Sequence, residues 1–451
     1  MGKKIVFIGA GSTQFAKTVL GDILWFDDIE ISEIALVDLN LYKAEVMKKV
    51  VENMCKNYKR NVTVTATRER REALPGADFV INCIGVGGAE RYKKDLEIAD
   101  KYGVNYNVGD IIGATAIFRM IREYPDILGM CRDMEELCPN AWFLNYSNPM
   151  APLMTALYEV TNIKTVGICH NVQETWEGIA NYLDVDPQRV TYWCAGINHM
   201  DWFLELKLDG EDAYPKLFEI AKSREAILEA SKRETVYNHE PNPIGMVDYV
   251  RFKIMEEFGY FPSESPYHMS EYCPWFRKND DMIKYWKVDN RWWLEHEQRA
   301  DTTIESFEKM LENGEDFVIE KSPEYVPEII HSLLTGKLFR ANLNVSNKPG
   351  LIANLPKECV VEVPCYVDSE GIHPAYIGNL PPQLAAMNVT NSMEQILMAK
   401  AVNTKSKKYI YQAVELDPLA SANCTLEQIR SMMDELIESN AADGYMEGWT
   451  D

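Results

Sequence analysis

The sequence predicts an α/β fold: an N-terminal Rossmann-like doubly wound parallel sheet followed by a C-terminal α+β catalytic domain. Three observations carry this expectation. Short apolar runs of strand length alternate with helix-length amphipathic stretches from residue 4 to about 170, the rhythm of a parallel sheet with crossover helices. The first of these runs opens directly into a glycine turn, Gly9-Ala10-Gly11-Ser12. After His199 the alternation stops, and Asp201 to Leu208 reads as an antiparallel strand. A chain of 451 residues exceeds what one hydrophobic core usually supports. Two joined domains are therefore expected, residues 1–195 Rossmann-like and residues 196–451 α+β.

Residues 4 to 9, Lys-Ile-Val-Phe-Ile-Gly, read as a strand buried on both faces, apolar from Ile5 to Ile8. In the turn that follows, Gly9 permits the tight bend and Gly11 lets the backbone approach a pyrophosphate at the N-terminus of a helix beginning near Phe15. Gln14 stands where a third glycine would complete the dinucleotide fingerprint. A second strand, Ile34 to Val37, ends in Asp38, whose carboxylate can accept from ribose hydroxyls and repels a 2′-phosphate, which favours NAD over NADP. A structural glycine turn with a helix-capping Asp is the alternative. Gly9, Gly11, Ser12, Thr13, Asp38 and Asn82 form the expected cofactor-binding set.

The third strand is expected at 62–66 and the fourth at 79–84, closed by Gly85-Val86-Gly87-Gly88. Arg91, just beyond, is a candidate for a substrate hydroxyl or carboxylate, or a plain surface cation. Residues 105 to 119 read as a loop entering a helix, followed by a helix over 123–138 and a strand over 141–145. Asn148, before Pro149, offers a donor and an acceptor at the site edge. A strand near 166–168 then ends in Cys169 and His170, where ligands of open α/β sheets collect. His199 follows in Gly196-Ile197-Asn198-His199-Met200. One thiolate and one neutral imidazole suit a divalent transition metal. A gap of that length is no local metal signature, and a buried thiol beside a hydrogen-bonded imidazole is the structural alternative.

Downstream, a helix is expected from Pro243 to Glu257, ended by Gly259. It carries Asp248, Tyr249 and Arg251, with Asp248 and Arg251 on one face. Residues 260–277 are dense in aromatics and polar tips, among them Glu264, His268, Glu271 and Arg277, a mix that lines a sugar pocket or a subunit interface. A strand over 360–364 and helices near 383–414 and 425–440 complete the α+β half.

Composition narrows the partners. Acidic residues outnumber basic ones 69 to 46, for a net charge of −23, so neither nucleic acid nor an anionic membrane is expected as partner. No run of eighteen apolar residues occurs, and Met1-Gly2-Lys3-Lys4 leads into a strand without a signal-peptide core. The ten cysteines show no CxxC pair, which points to reduced thiols and a cytoplasmic protein.

Taken together, the motifs resemble glycoside hydrolase family 4, the NAD- and metal-dependent glycosidases. The resemblance covers nearly the whole chain: GAGS at 9–12, VGG at 86–88, NPM at 148–150, Cys169-His170 and GINHM at 196–200. GYF at 259–261, EYCPWF at 271–276, NLP at 354–356 and VEVPCYVD at 361–368 look most like its α-galactosidase (melibiase) branch. Two departures stand out. Asn171 replaces the serine usual after Cys-His, and Gly113-Ala114-Thr115-Ala116 replaces a Gly-Pro-Gly-Gly loop. His170 argues against a sugar phosphate as substrate, since the 6-phospho-glycosidase members usually lack it.

The resemblance implies a small-molecule α-glycoside substrate, galactoside favoured, and hydrolysis without the usual carboxylate pair. NAD takes a hydride from carbon 3, a base takes the proton on carbon 2, the aglycone leaves by elimination, and water and hydride then return. It also implies roles: Cys169 and His199 hold Mn(II) or a similar ion; His170 is the acid assisting departure; Asp248 is the carbon-2 base, with Tyr249 as the alternative; Asn148, Arg91 and Arg251 hold substrate. A homodimer or homotetramer goes with the family. The alternatives are α-glucosidase or α-glucuronidase/galacturonidase activity by the same route, or net oxidation by a sugar or hydroxy-acid dehydrogenase.

Overall fold

The structure is a computed structural model that describes residues 2–232, 246–289, 291 and 293–451; the side chains of residues 13, 14 and 293–301 lie outside that description. Its strands are β1 (Lys3–Ile8), β2 (Ile31–Val37), β3 (Thr63–Thr67), β4 (Phe79–Asn82), β5 (Trp142–Asn145) and β6 (Lys164–Gly167), then β7 (Val190–Ile197), β8 (Met200–Leu208), β9 (Glu211–Asp212), β10 (Phe339–Ser346), β11 (Val360–Asp368) and β12 (Gly371–Pro374). The first six pair in parallel in the order β3-β2-β1-β4-β5-β6, the doubly wound arrangement of dinucleotide-binding proteins.

Strand composition explains the layering. Along β1, Ile5 and Phe7 join one buried cluster, while Val6 and Ile8 join the other. The two-residue period of a strand sends neighbours to opposite faces, and helices cover both. Burying each such side chain contributes roughly 1.5–3 kcal/mol.

The sheet does not stop at β6. It continues antiparallel through β10, β11, β7, β8 and β9, with β12 paired to β11. The α+β half is therefore an extension of the same sheet, and the expected 195/196 boundary falls inside β7. One row of partners crosses this seam: Gly167 opposite Asn344, Asn344 opposite Glu362, Glu362 opposite Gly196, and Gly196 opposite Asp201. β10 was not anticipated from the sequence. Its polar Asn342 and Asn344 break the apolar pattern of a buried strand, yet both are fully buried and hydrogen-bonded.

Three helices differ from expectation. The helix Gly113–Leu137 starts well before residue 123 because side chains outside it satisfy its first amides: Gly113 N–H donates to Glu394 Oε1 (2.6 Å) and Ala114 N–H to the Tyr106 hydroxyl (3.0 Å). The expected helix over 383–414 is two, Pro382–Thr404 and Lys407–Leu416, broken at Lys405 in the left-handed region (φ 50°). The helix expected from Pro243 spans Tyr249–Phe258 and ends at Gly259 (φ 87°) as expected; Pro243 itself lies outside the described residues.

Candidate active site

The carboxyl end of β6 delivers Cys169 and His170, and the β7–β8 hairpin turns at Asn198-His199 to deliver a second imidazole. Cys169 Sγ lies 3.1 Å from His199 Nε2. His199 adopts φ 62°, a conformation non-glycine residues rarely hold and one that tends to persist where function requires it. The hairpin stays tight because Gly196 faces the returning strand: a Cβ there would lie 2.4 Å from the Met200 carbonyl.

A second group meets His199 from the segment after β8. Ser265 caps the short helix Pro266–Glu271, which presents His268, with Glu264 just before it. Donor atoms of His199, Glu264 and His268 lie within 4.8 Å of one another, and the His199 and His268 rings meet edge-on at 4.5 Å. His268 is held at both nitrogens, by Glu264 on Nδ1 and by Asp110 Oδ1 on Nε2 at 3.2 Å. Asp110 also accepts from Asn148 Nδ2 (2.8 Å), which ties Asn148 to the cluster. The Asp110 loop is itself fixed by Glu271, whose carboxylate accepts from the amides of Asn107, Val108 and Gly109.

Burial and charge set the protonation states. Burial and the neighbouring His268 push His199 down to about 4, which keeps its ring neutral with a lone pair to offer. Burial works against charge on His268 too, but Glu264 and Asp110 override it and lift the imidazole well above its usual range. On the other side of Cys169, burial is likewise outweighed at His170, where Glu174 and Glu324 raise it to about 10. Burial, then Glu362 and Glu264, hold the Cys169 thiol protonated well above the usual thiol range, so a cation must supply the drive to ionise it. A neutral imidazole, a thiol in contact with it and flanking carboxylates fit a divalent transition metal.

Beneath this cluster lies a polar layer built on the seam row. Glu362 accepts from Asn198 (2.9 Å) and Asn344 (3.2 Å), and burial raises it to about 7. Asp201 accepts from Asn171 (2.8 Å) and from the Ser263 hydroxyl (3.0 Å). Asn171, one of the two departures noted in the sequence, thus ties the Cys169-His170 turn to β8 through Asp201 and, through the Ser263 hydroxyl (3.2 Å), to the segment carrying Glu264.

The nucleotide-side residues gather at the ends of β1, β2 and β4. Gly9 (φ 90°) packs so closely that a Cβ would lie 2.2 Å from the Cys83 carbonyl. Gly11 N–H donates to Asp38 Oδ2 (2.7 Å), and Asn40 N–H donates to Oδ1 (2.8 Å). Ser12 precedes the helix Thr13–Trp25 without capping it by its side chain, which suits an anion at that N-terminus; the Thr13 side chain lies outside those described. The glycine turn and its acid thus fit a dinucleotide. Asn82 is buried beneath, donating to Asn145 Oδ1 (2.8 Å) and Ser147 Oγ (3.1 Å).

Three predicted residues, Asp248, Tyr249 and Arg91, make no contact with the cluster's side chains, and a fourth, Arg251, reaches it only at the Glu264 backbone. Asp248 is fully buried, with its carboxylate taken by Arg251 (2.6 Å) and the Tyr182 hydroxyl (2.6 Å). Arg251 in turn donates to the Glu264 carbonyl and to Thr175 Oγ1 (3.1 Å), so the pair braces the backbone behind Glu264. The Tyr249 ring faces Arg224, 3.6 Å away. Arg91 is buried in ion pairs with Asp95 and Asp443 (2.7 Å), against the C-terminal helix Leu426–Ala442. Conversely, Asp110 and Glu324 carried no local signal, and Glu264 and His268 stood out only as members of a polar aromatic stretch.

The chain is similar to known proteins over nearly its whole length. The family profile described as family 4 glycosyl hydrolase matches residues 4–185, and that of the family 4 glycosyl hydrolase C-terminal domain matches residues 194–420. An α-galactosidase of Bacillus subtilis (strain 168) is 39% identical over 447 residues, spanning 97% of this chain and 98% of the relative. An α-galactosidase of Rhizobium meliloti (strain 1021) is 35% identical over 451 residues, spanning 97% and 88%. Among solved structures, a 6-phospho-α-glucosidase from gut microorganisms, in complex with NAD and Mn2+, superposes with a TM-score of 0.79 at 20% identity, covering 98% of each chain.

Proposed function

The chain belongs to glycosyl hydrolase family 4, and from that premise we propose that it hydrolyses α-galactosides with NAD and a divalent metal, Mn(II) or similar, as cofactors. The observation that carries the reading is the Cys169–His199 contact at 3.1 Å, at the carboxyl edge of a dinucleotide-type sheet. When bound, NAD takes and returns a hydride at the sugar, and the metal steadies negative charge on the sugar oxygens.

The protein's own groups do the rest. Cys169 and His199 hold the metal. Gly9, Gly11, Ser12 and Thr13 receive the pyrophosphate, and Asp38 the ribose. Asn148, oriented by Asp110, binds a sugar hydroxyl. His170 carries a proton at neutral pH and gives it to the departing glycosidic oxygen. The carbon-2 proton passes to a base facing the cluster. Asp248 and Arg251 serve this site by bracing Glu264, a reading supported by their mutual burial.

The same reading places the protein in the cytoplasm, consistent with ten free cysteines, and as a homodimer or homotetramer, which sedimentation measures directly. Among the described residues no helix is long and apolar enough to cross a membrane.

The test is hydrolysis of aryl α-galactosides, α-glucosides and α-galacturonides in deuterated water with NAD, Mn(II) and reductant. The reading expects fastest turnover on the galactoside, catalytic use of NAD and deuterium at carbon 2 of the released sugar. Stoichiometric accumulation of NADH would identify a dehydrogenase instead. Efficient hydrolysis without deuterium at carbon 2 would point to direct displacement.

A further inference from the structure

His170 is faced from three directions, and two of them come from distant parts of the chain. Its ring stacks on Phe15 at 6.1 Å and 13°, in the first turn of the helix Thr13–Trp25. Its Nε2 lies 3.7 Å from Glu174 Oε1, one turn along its own helix, and its Nδ1 lies 3.5 Å from Glu324 Oε1. The two carboxylates are not equivalent. The Glu174 side chain is 39% exposed, whereas that of Glu324 is 10% exposed. The second oxygen of Glu324 accepts from the Tyr146 hydroxyl (2.8 Å), and the Tyr146 ring packs on Phe15 (5.1 Å).

The route by which Glu324 arrives is equally constrained. Residues 315–324 run across the nucleotide-side helices Thr13–Trp25 and Leu41–Asn57. Phe317 N–H donates to Asn53 Oδ1 (2.9 Å) and Ile319 N–H to the Tyr58 hydroxyl (3.0 Å). Ser322 N–H donates to both oxygens of the buried Asp22 (3.1 Å each), and Ser322 Oγ accepts from Glu324 N–H (3.2 Å). These bonds fix the backbone leading to Glu324, and the Tyr146 hydroxyl fixes its side chain, so one carboxylate oxygen is left facing the imidazole.

We propose that Glu324 is a positioning residue for His170, which it holds through Nδ1 so that the Nε2 edge serves the departing glycosidic oxygen. This rests on His170 being the acid of the reading above. In that step the carbon 1–oxygen bond breaks with its electron pair on oxygen, which takes the imidazole's proton. The pair released at carbon 2 by deprotonation closes the carbon 1–carbon 2 double bond, and the imidazole is left neutral. Acid assistance matters most when the leaving group is a poor one, so misorienting His170 has a signature that general damage to the fold lacks.

The experiment compares 2,4-dinitrophenyl, 4-nitrophenyl and phenyl α-galactosides on the parent, His170→Ala, Glu324→Gln and Tyr146→Phe proteins, each loaded with NAD and Mn(II) under reductant. His170→Ala is expected to lose about 100-fold or more in kcat on the phenyl substrate. Glu324→Gln should lose about 10-fold on phenyl while staying within about 2-fold of the parent on dinitrophenyl. Tyr146→Phe, which keeps the carboxylate and removes one anchor, should shift the same way by less. If Glu324→Gln and Tyr146→Phe slow all three substrates by one common factor, or none of them, while His170→Ala discriminates, Glu324 is merely structural and the proposal falls. If His170→Ala itself fails to discriminate, the assignment of the acid has failed, and this proposal falls with it.

Discussion

Asp248 shows what burial does to a residue that reads as catalytic in sequence. An acid and an arginine three apart on a helix, near a sugar-binding stretch, suggest a base and its partner. In the folded chain both are sealed in, the carboxylate saturated by Arg251 and Tyr182. Removing one member of a buried ion pair leaves the other charge uncompensated, which costs about 3–5 kcal/mol. Asp248→Asn is therefore expected to lower the thermal midpoint by many degrees, a loss read by calorimetry on metal-free protein, whereas a solvent-facing base would leave the midpoint nearly unchanged. Cys169, His199 and Asn148 were legible at this scale because each ends a strand or opens a turn, where the sheet's geometry dictates the address. Glu264 and His268 were legible only as members of a polar aromatic stretch, and Asp110 and Glu324 were not, because Asp110 meets His268 and Glu324 meets His170 across more than a hundred residues.

The decisive element is the β7–β8 hairpin, which places an imidazole on a left-handed backbone. At φ 62° glycine is the favoured occupant, and holding a larger residue there costs of order 1 kcal/mol or more. Replacing His199 by glycine should thus leave stability unchanged or raise it slightly in metal-free protein, while abolishing metal uptake. A fall in thermal midpoint comparable to that of a core truncation would show that the ring is there for packing. Elements with strong local signals were readable: β1 and its glycine turn, β2 ending in Asp38, β6 ending at the site. Elements defined by partners were not. β10 hides behind its buried asparagines, and the helix Gly113–Leu137 takes its start from Glu394 and Tyr106, one of them far along the chain.

Over the whole molecule, one continuous sheet joins the nucleotide half and the substrate half, and buried carboxyls lie both at its seam, as Glu362, and in the helices packed around it. Burial raises Asp22 and Asp417 to about 6, and Glu123, Glu177 and Glu362 to about 7. Each folded-state value lies above the unfolded one, so the folded chain retains protons that the unfolded chain has released. Their contribution is full below about pH 4 and is lost as pH rises through 6 to 7. His199, held low, pulls the other way below its unfolded value near 6.5. The metal-free protein should therefore lose thermal stability between pH 5 and pH 7.5, helped by the repulsion of a net charge of −23; a midpoint that climbs across this interval would contradict the burial of these acids. The doubly wound class and the change of style after His199 were both visible in the pattern of apolar runs. That the two halves share one sheet was not, because strand pairing between β6 and β10 joins segments with no common sequence signal.

The proposed function requires sulfur and imidazole to hold a metal together at the sheet edge. Its most direct test is a titration of reduced, NAD-loaded protein with Mn(II), followed by electron paramagnetic resonance of the free ion. The parent protein should take up one equivalent, and Cys169→Ala should take up none at the same concentrations while keeping its NAD affinity. Uptake of one equivalent by Cys169→Ala, with undiminished affinity, would contradict it.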